Sequence, residues 1–482
     1  MVEAFSTTTP PPTEAQDLPI VVIGAGPVGL AAAAHLHERG LTSLILEAGH
    51  DVGTAIRAWG HTRLFSPWQY NIDAAAARLL HTTGWTEPDA QTLPTGTELV
   101  DQYLEPLAIT TALAEHVRTD TRVLAVTRAG MDKTRTTGRA DTPFLVRTQH
   151  TDGTMEDIQA SAVIDASGTW TRPNPLGQSG LPAPGETEAL AAGRITAALP
   201  DVTGRDRQRF AGRHVLVVGA GHSAANTLLE LGSLAEDEPD TRISWAVRSA
   251  DVSSVYGGED RDELPARGTL GTRLRRLVDS GVIEIHTSFT ITRFTTTEHG
   301  FSVHASTPTG EQTVAADLVA PATGFRPDLG MLSELRLDMD PAVDAPRQLG
   351  PLIDPEFHSC GSVAPHGARM LAHPESDFYI AGMKSYGRAP TFLMATGYEQ
   401  VRSIAASLAG DQAAADAVQL DLPETGVCST DLGGSCDTPA PITQEAVQSC
   451  CAPVTVTDGP GADGRRLGSH TALSSTAGGR CG

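Results

Sequence analysis

A chain of 482 residues is long enough for two or three domains with well-buried cores. Its 35 basic residues against 58 acidic ones, a formal charge of −23, argue against nucleic acid or an anionic membrane surface as partner. Apolar residues at 40%, with 48 glycines and 32 prolines, fit a loop-rich α/β enzyme, and only Lys133 and Lys384 among the basic residues are lysines.

Met1 to Asp17 is rich in Thr and Pro and lacks a basic start, so it reads as a disordered leader without an export signal. The apolar run Ile20 to Ala34 is too short and too interrupted by glycine to span a membrane. Ile20-Val-Val-Ile23, the turn Gly24-Ala-Gly-Pro-Val-Gly29, a helical pattern to Arg39 and Ser43-Leu-Ile-Leu-Glu47 predict strand, tight turn, helix, strand. In that fingerprint Gly24 permits the turn, Gly26 lets backbone approach a pyrophosphate, and Gly29 lets helix and strand pack closely. Glu47 is placed to accept from ribose hydroxyls and to repel a 2′-phosphate, so the first unit predicts FAD.

Beyond it, Trp59, Trp68 and Tyr70 suit either a flavin wall or the core. Ala162-Val-Ile-Asp-Ala-Ser-Gly168 reads as a strand ending in small residues. A second unit follows: His214-Val-Leu-Val-Val218, the turn Gly219-x-Gly221-x-x-Ala224, a helix, and Ile243-Ser-Trp-Ala-Val-Arg248. Ser223 lies inside this loop, where it can donate to a phosphate or cap the helix. Arg248 stands where the first unit has Glu47, and a cation there favours NADPH over NADH.

Asp317-Leu-Val-Ala-Pro-Ala-Thr323-Gly324 is another apolar strand ending in small residues. The simplest layout is α/β with two Rossmann-like domains, the NADPH domain (205–318) inserted into the FAD domain (18–204 and 319–410). Phe378-Tyr-Ile-Ala381 reads as a strand, Gly382 to Ala389 as a loop, and Pro390 as the first turn of a helix. From 411 to 482 the helical pattern gives way to a Thr-, Gly-, Pro- and Ala-rich tail expected to be flexible.

Cysteine is absent before Cys360, which removes dithiol–disulfide chemistry from that part of the chain and fits a cytoplasmic enzyme. Cys360 suits a buried thiol or a reactive one. In the tail, Cys428 and Cys436 match no zinc spacing, and the adjacent Cys450 and Cys451 suit a soft thiophile such as trivalent arsenic, or inert thiols. His61, His358, His366 and His373 lie in loops with no metal-site spacing, so no metal is assigned.

Together, GAGPVG with Glu47, GAGHSA with Arg248, and Ala322-Thr-Gly-Phe-Arg-Pro-Asp328 resemble the flavin-containing monooxygenase group of two-dinucleotide flavoproteins over roughly residues 18 to 410. The stretches 63–71 (RLFSPWQYN) and 382–400 (GMKSYGRAPTFLMATGYEQ) are similar to flavoproteins associated with bacterial arsenic-resistance operons. The resemblance implies an oxidoreductase that consumes NADPH and molecular oxygen and acts on a small molecule, with trivalent arsenicals as a candidate class. It also implies that Trp59, Ser66, Thr323, Gly324, Gly382 and Thr391 contact cofactor, and that Lys384 and Arg388 add positive charge near the flavin's pyrimidine side. Three departures stand against it. The monooxygenase fingerprint FxGxxxHxxxY/F is missing from the linker, Pro67 stands where an Asn often follows the Ser, and Met383 replaces the Asp of a late Gly-Asp pair.

Overall fold

The computed structural model describes residues 18–256, 265–297, 300–356, 363, 365–389 and 392–420. Each predicted βαβ unit forms. In the first, β1 (Ile20–Ile23) leads through Gly24–Gly26 into α1 (Pro27–Glu38) and β2 (Ser43–Leu46). Two later strands complete a five-stranded parallel sheet, with β3 (Val117–Arg118) beside β2 and β7 (Ala162–Asp165) beside β1. The outermost strand on the β7 side, β15 (Phe378–Ile380), is supplied by the far end of the chain.

Alternation along these strands separates two cores. Ile20, Val22, Ile45 and Ile164 face α1 and the long helix α3 (Met394–Leu408). Val21, Ile23, Leu44, Leu46 and Val163 face an antiparallel meander, β4 (Thr121–Arg128), β5 (Phe144–His150) and β6 (Met155–Ala160).

The second unit repeats this plan. β8 (His214–Val218), α2 (His222–Asp237) and β9 (Arg242–Ala246) join β10 (Ile283–His286) and β14 (Leu318–Pro321) in a four-stranded parallel sheet, ordered β10-β9-β8-β14. A second meander, β11 (Thr290–Thr297), β12 (Gly300–Thr307) and β13 (Gly310–Ala316), lies on one face. Val215, Val217, Ile243 and Trp245 pack against α2 on the other.

Two expected boundaries move. The second sheet runs to Pro321, because β14 pairs along its length with β8, so a boundary at 318 falls inside a strand. Past residue 410 the chain does not leave the body at once. A short helix, Gln412–Asp416, folds back on α3, where Arg402 takes the carbonyl of Ala414 and Ser403 that of Ala415. No helix among the described residues is long and apolar enough to cross a membrane.

Candidate functional site

The first glycine loop divides its work as the spacing implies. Gly24 has φ +98°, and a Cβ there would lie 2.9 Å from the carbonyl oxygen of Ala166, just past β7. A Cβ on Gly29 would overlap the carbonyl oxygen of Gly24, so α1 can lie this close to its own turn only with glycine there. On Gly26, by contrast, a Cβ meets open space.

Gly26 is also the N-cap of α1 and provides no side-chain acceptor, so no side chain occupies the positive end of the helix. Glu47, at the end of β2, accepts from the amides of Ala25 (2.8 Å) and Gly49 (2.9 Å). A carboxylate has about four lone-pair directions, so it can still receive a ribose hydroxyl while these bonds fix its position. Open backbone, an uncapped helix start and a fixed carboxylate together fit the adenosine diphosphate part of FAD.

The second loop has the same geometry with one change. A Cβ on Gly219 would overlap the carbonyl of Ala322, whereas Gly221 borders open space and caps α2 without a side chain. Ser223 is half-buried in the first turn, and Ala224 is fully buried, doing the packing that Gly29 does in the first unit. In strand register the residue matching Glu47 is the buried Val247, since Ile23 pairs Leu46 and Val218 pairs Ala246. Arg248 lies one position further, exposed, and makes no hydrogen bond or ion pair with the described residues. No carboxylate therefore stands where it would repel a 2′-phosphate, and a cation stands beside that place.

Segments from elsewhere close around the first loop. Gly382 (φ +70°) sits on Val28 in the first turn of α1, and its amide donates to Gln400 of α3 at 2.8 Å. Gln400 is wholly buried and also bonds Ser385 and His366, so it organises the loop from within. Gly397 lets α3 approach, since a Cβ there would be 2.6 Å from Val28. Thr323 and Gly324 are clamped by Asn174. The Thr323 hydroxyl donates to the Asn174 carbonyl (2.8 Å), and the Asn174 amide donates to the Gly324 carbonyl (2.9 Å).

Both cations expected beside the flavin have other commitments. Lys384 is buried, with its ammonium 2.6 Å from Asp165 at the end of β7 and 3.1 Å from the Ser167 hydroxyl. It anchors the 382–386 turn to the sheet, and its charge is neutralised. Arg388 is exposed and paired with Asp344. Ser66 is buried with its hydroxyl given to Asn71, and Trp68 is core, while Trp59 lies half-buried over Gly96.

His373 is buried and pushed down to about 4 by desolvation, accepting from the amide of Asp338. Thr391, Pro390, His358, Cys360, Cys428, Cys436, Cys450 and Cys451 lie outside the described residues. Sequence reasoning missed Asp165, Asn174 and Gln400. Only Asp165 left a signal, as a carboxylate ending an otherwise apolar strand.

Two glycine-turn sheets, each carrying an antiparallel meander, define a flavoprotein with separate sites for two dinucleotides. Residues 21–348 match the pyridine nucleotide-disulphide oxidoreductase family, and the chain belongs to it. It is an FAD-dependent oxidoreductase that uses NADPH. FAD bound at the first loop supplies the two-electron acceptor for a hydride from NADPH.

A flavin-containing monooxygenase, FMO GS-OX-like 2 of Arabidopsis thaliana, is 24% identical over 258 residues, 48% of this chain and 50% of that protein. The chain thus spans about half the length of the curated relative it matches. Among solved structures, bacillithiol disulfide reductase of Bacillus cereus superposes with a TM-score of 0.60 at 20% identity, covering 82% of this chain and 99% of that one. A flavin-containing monooxygenase from Stenotrophomonas maltophilia gives 0.53 at 22%, covering 82% and 98%. These likenesses establish the fold.

Proposed function

We propose that the protein is a cytoplasmic NADPH-consuming flavin monooxygenase acting on a small soft nucleophile, a trivalent arsenical. The observation that carries the oxygenase part is the absence of any cysteine before Cys360. Residues 21–348 hold both dinucleotide loops but no thiol pair to receive electrons from the flavin, which leaves oxygen as the acceptor. The named relatives include flavin-containing monooxygenases, which supports the same reading. The arsenical part rests on the adjacent thiols Cys450 and Cys451 and on the resemblance of stretches 63–71 and 382–400.

In this reading Gly24, Gly26, Gly29 and Glu47 hold FAD, with Gly382 and Thr391 closing on it, and Gly219, Gly221, Ser223, Ala224 and Arg248 hold NADPH. The FAD domain comprises 18–204 and 319–410, the NADPH domain 205–318, and the thiol-bearing tail 411–482. The reaction balances as NADPH, a proton, oxygen and As(III) giving NADP⁺, water and As(V) bearing one new oxygen.

The test is turnover with methylarsenite under ¹⁸O₂, scoring labelled pentavalent product and hydrogen peroxide together. Labelled product at close to one per NADPH is expected. Peroxide equal to NADPH consumed, with or without the arsenical, would instead make the enzyme an NADPH oxidase. That second reading is favoured by Pro67 and Met383, both departures from the monooxygenase pattern.

A further inference from the structure

Between β2 and β3 the first domain sends a loop onto the second. His61 lies against α2, its Nε2 3.7 Å from Glu230 Oε1, and Phe65 lies on His222 with ring centroids 5.0 Å apart. His222 is the first residue of α2 after Gly221, so the Phe65 ring stands at the rim of the open space over the second glycine loop. No other pair of side chains described above joins the first domain to α2.

The chemistry of the polar half is unusual. His61 and Glu230 are each about four-fifths buried, and the amide of Val202 donates to Glu230 Oε2 at 3.2 Å. The groups facing them are Asp201, Arg205 and Asp206 from the adjoining loop, the carbonyl of Pro200 and the hydroxyl of Thr62. Burial pushes the Glu230 carboxyl up to about 7, with Asp201 adding to the rise, and pushes His61 down. Both shifts oppose a charged pair. With one proton present, the carboxylic acid has a hydrogen to offer the imidazole. With that proton lost, a buried carboxylate faces Asp201 and an imidazole lone pair.

We propose that His61 and Phe65 form a clasp from the first domain onto α2, positioning the second dinucleotide site and held closed by a proton between His61 and Glu230. Its placement at the NADPH loop rests on the assignment of that loop to NADPH, whereas the clasp itself does not. His61, Phe65 and Glu230 are positioning residues, acting through α2 and its first turn.

The sign follows from the raised carboxyl. Protonation is favoured in the closed state, so closure is strongest on the acid side and is lost as pH rises through about 7. Glu230→Gln keeps a neutral donor for the imidazole and an acceptor for the Val202 amide, and removes the titration.

The experiment is hydrogen exchange on the full-length, FAD-loaded protein without NADP⁺, at pH 6 and pH 8. Rates in peptides spanning 61–66 and 222–230 are corrected for the intrinsic pH dependence of exchange. In the wild type, corrected exchange should be about tenfold faster at pH 8. Glu230→Gln should be slow at both pH values, and His61→Ala fast at both. Equal corrected rates in the wild type, or a Glu230→Gln protein that tracks the wild type, would overturn the clasp.

An NADP⁺ titration of the same proteins supplies the second readout. His61→Ala should weaken binding severalfold with FAD content unchanged. A clasp that titrates as expected in a protein with no NADP⁺ affinity would sink the cofactor assignment and leave the clasp standing.

Discussion

The two dinucleotide units have nearly the same chain trace and opposite chemistry where their second strands end. In both, a glycine turn leans on the carbonyl of the alanine that follows a neighbouring strand, Ala166 for Gly24 and Ala322 for Gly219. In both, the middle glycine of the turn opens onto free space and starts a helix that no side chain caps. Past the second strand the first unit has Glu47, tied down by two amides, and the second has buried Val247 and then exposed Arg248.

The supporting strands differ too. β7 ends in Asp165, bound to Lys384, whereas the matching position in β14 is Pro321. The first site is thus closed by a charged anchor and a long C-terminal helix, and the second by the His61–Phe65 loop. Backbone geometry sets the place of a dinucleotide, and the residues at strand ends set which one and how firmly it is enclosed.

The largest effect expected separates two glycines of one turn. Gly29→Val should prevent the first domain from folding, because its side chain would occupy the Gly24 carbonyl. Gly26→Val should fold, since its Cβ meets open space at φ −85°, but should purify without FAD. Far-ultraviolet circular dichroism and the flavin absorbance of the two proteins decide this. A folded, fully yellow Gly26→Val protein would remove FAD from the first loop.

A smaller effect tests the anchor. Lys384→Met leaves Asp165 buried without its cation, at a cost of about 3–5 kcal/mol in urea unfolding. Adding Asp165→Asn should recover part of that loss, because no net charge then remains buried. If instead Lys384→Met unfolds like the wild type but slows flavin reduction strongly, the lysine acts on the cofactor and the anchor reading is wrong.

How much of this was legible depended on range. The glycine spacing, Glu47 and the apolar strand runs are local patterns, and each foretold its element and its neighbours. The β15 strand was also readable as an apolar segment, though its place beside β7 follows from long-range pairing. What escaped were partnerships between distant side chains. Lys384 looked like a free cation because lysine is scarce here, yet its partner lies 219 positions away. Arg388 likewise reads as available until the turn at Asp344 is seen beside it. The Phe65–His222 contact joins two motifs that were each noticed separately, and nothing in spacing brings them together.

The smallest effect concerns the strand-end cation and gives the finest test of the two-unit comparison. Arg248 is exposed and uncommitted among the described residues, so Arg248→Ala should leave folding and FAD content unchanged. A charge-assisted bond to a 2′-phosphate is worth about 1.5–3 kcal/mol, and NADPH affinity should fall by that amount. NADH lacks the phosphate, so its affinity should hold, and the preference between the two should narrow to match. Titration of the oxidised enzyme with NADP⁺ and NAD⁺ measures both without turnover. The register argument adds a further arm: Val247→Glu restores to the second unit the carboxylate that the first has at Glu47. That change should weaken NADP⁺ more than NAD⁺, because the new charge would face the 2′-phosphate. Should Arg248→Ala weaken both dinucleotides equally, Arg248 would be contacting a part they share, such as the pyrophosphate, and nucleotide choice would have to be sought elsewhere on the rim of the second loop.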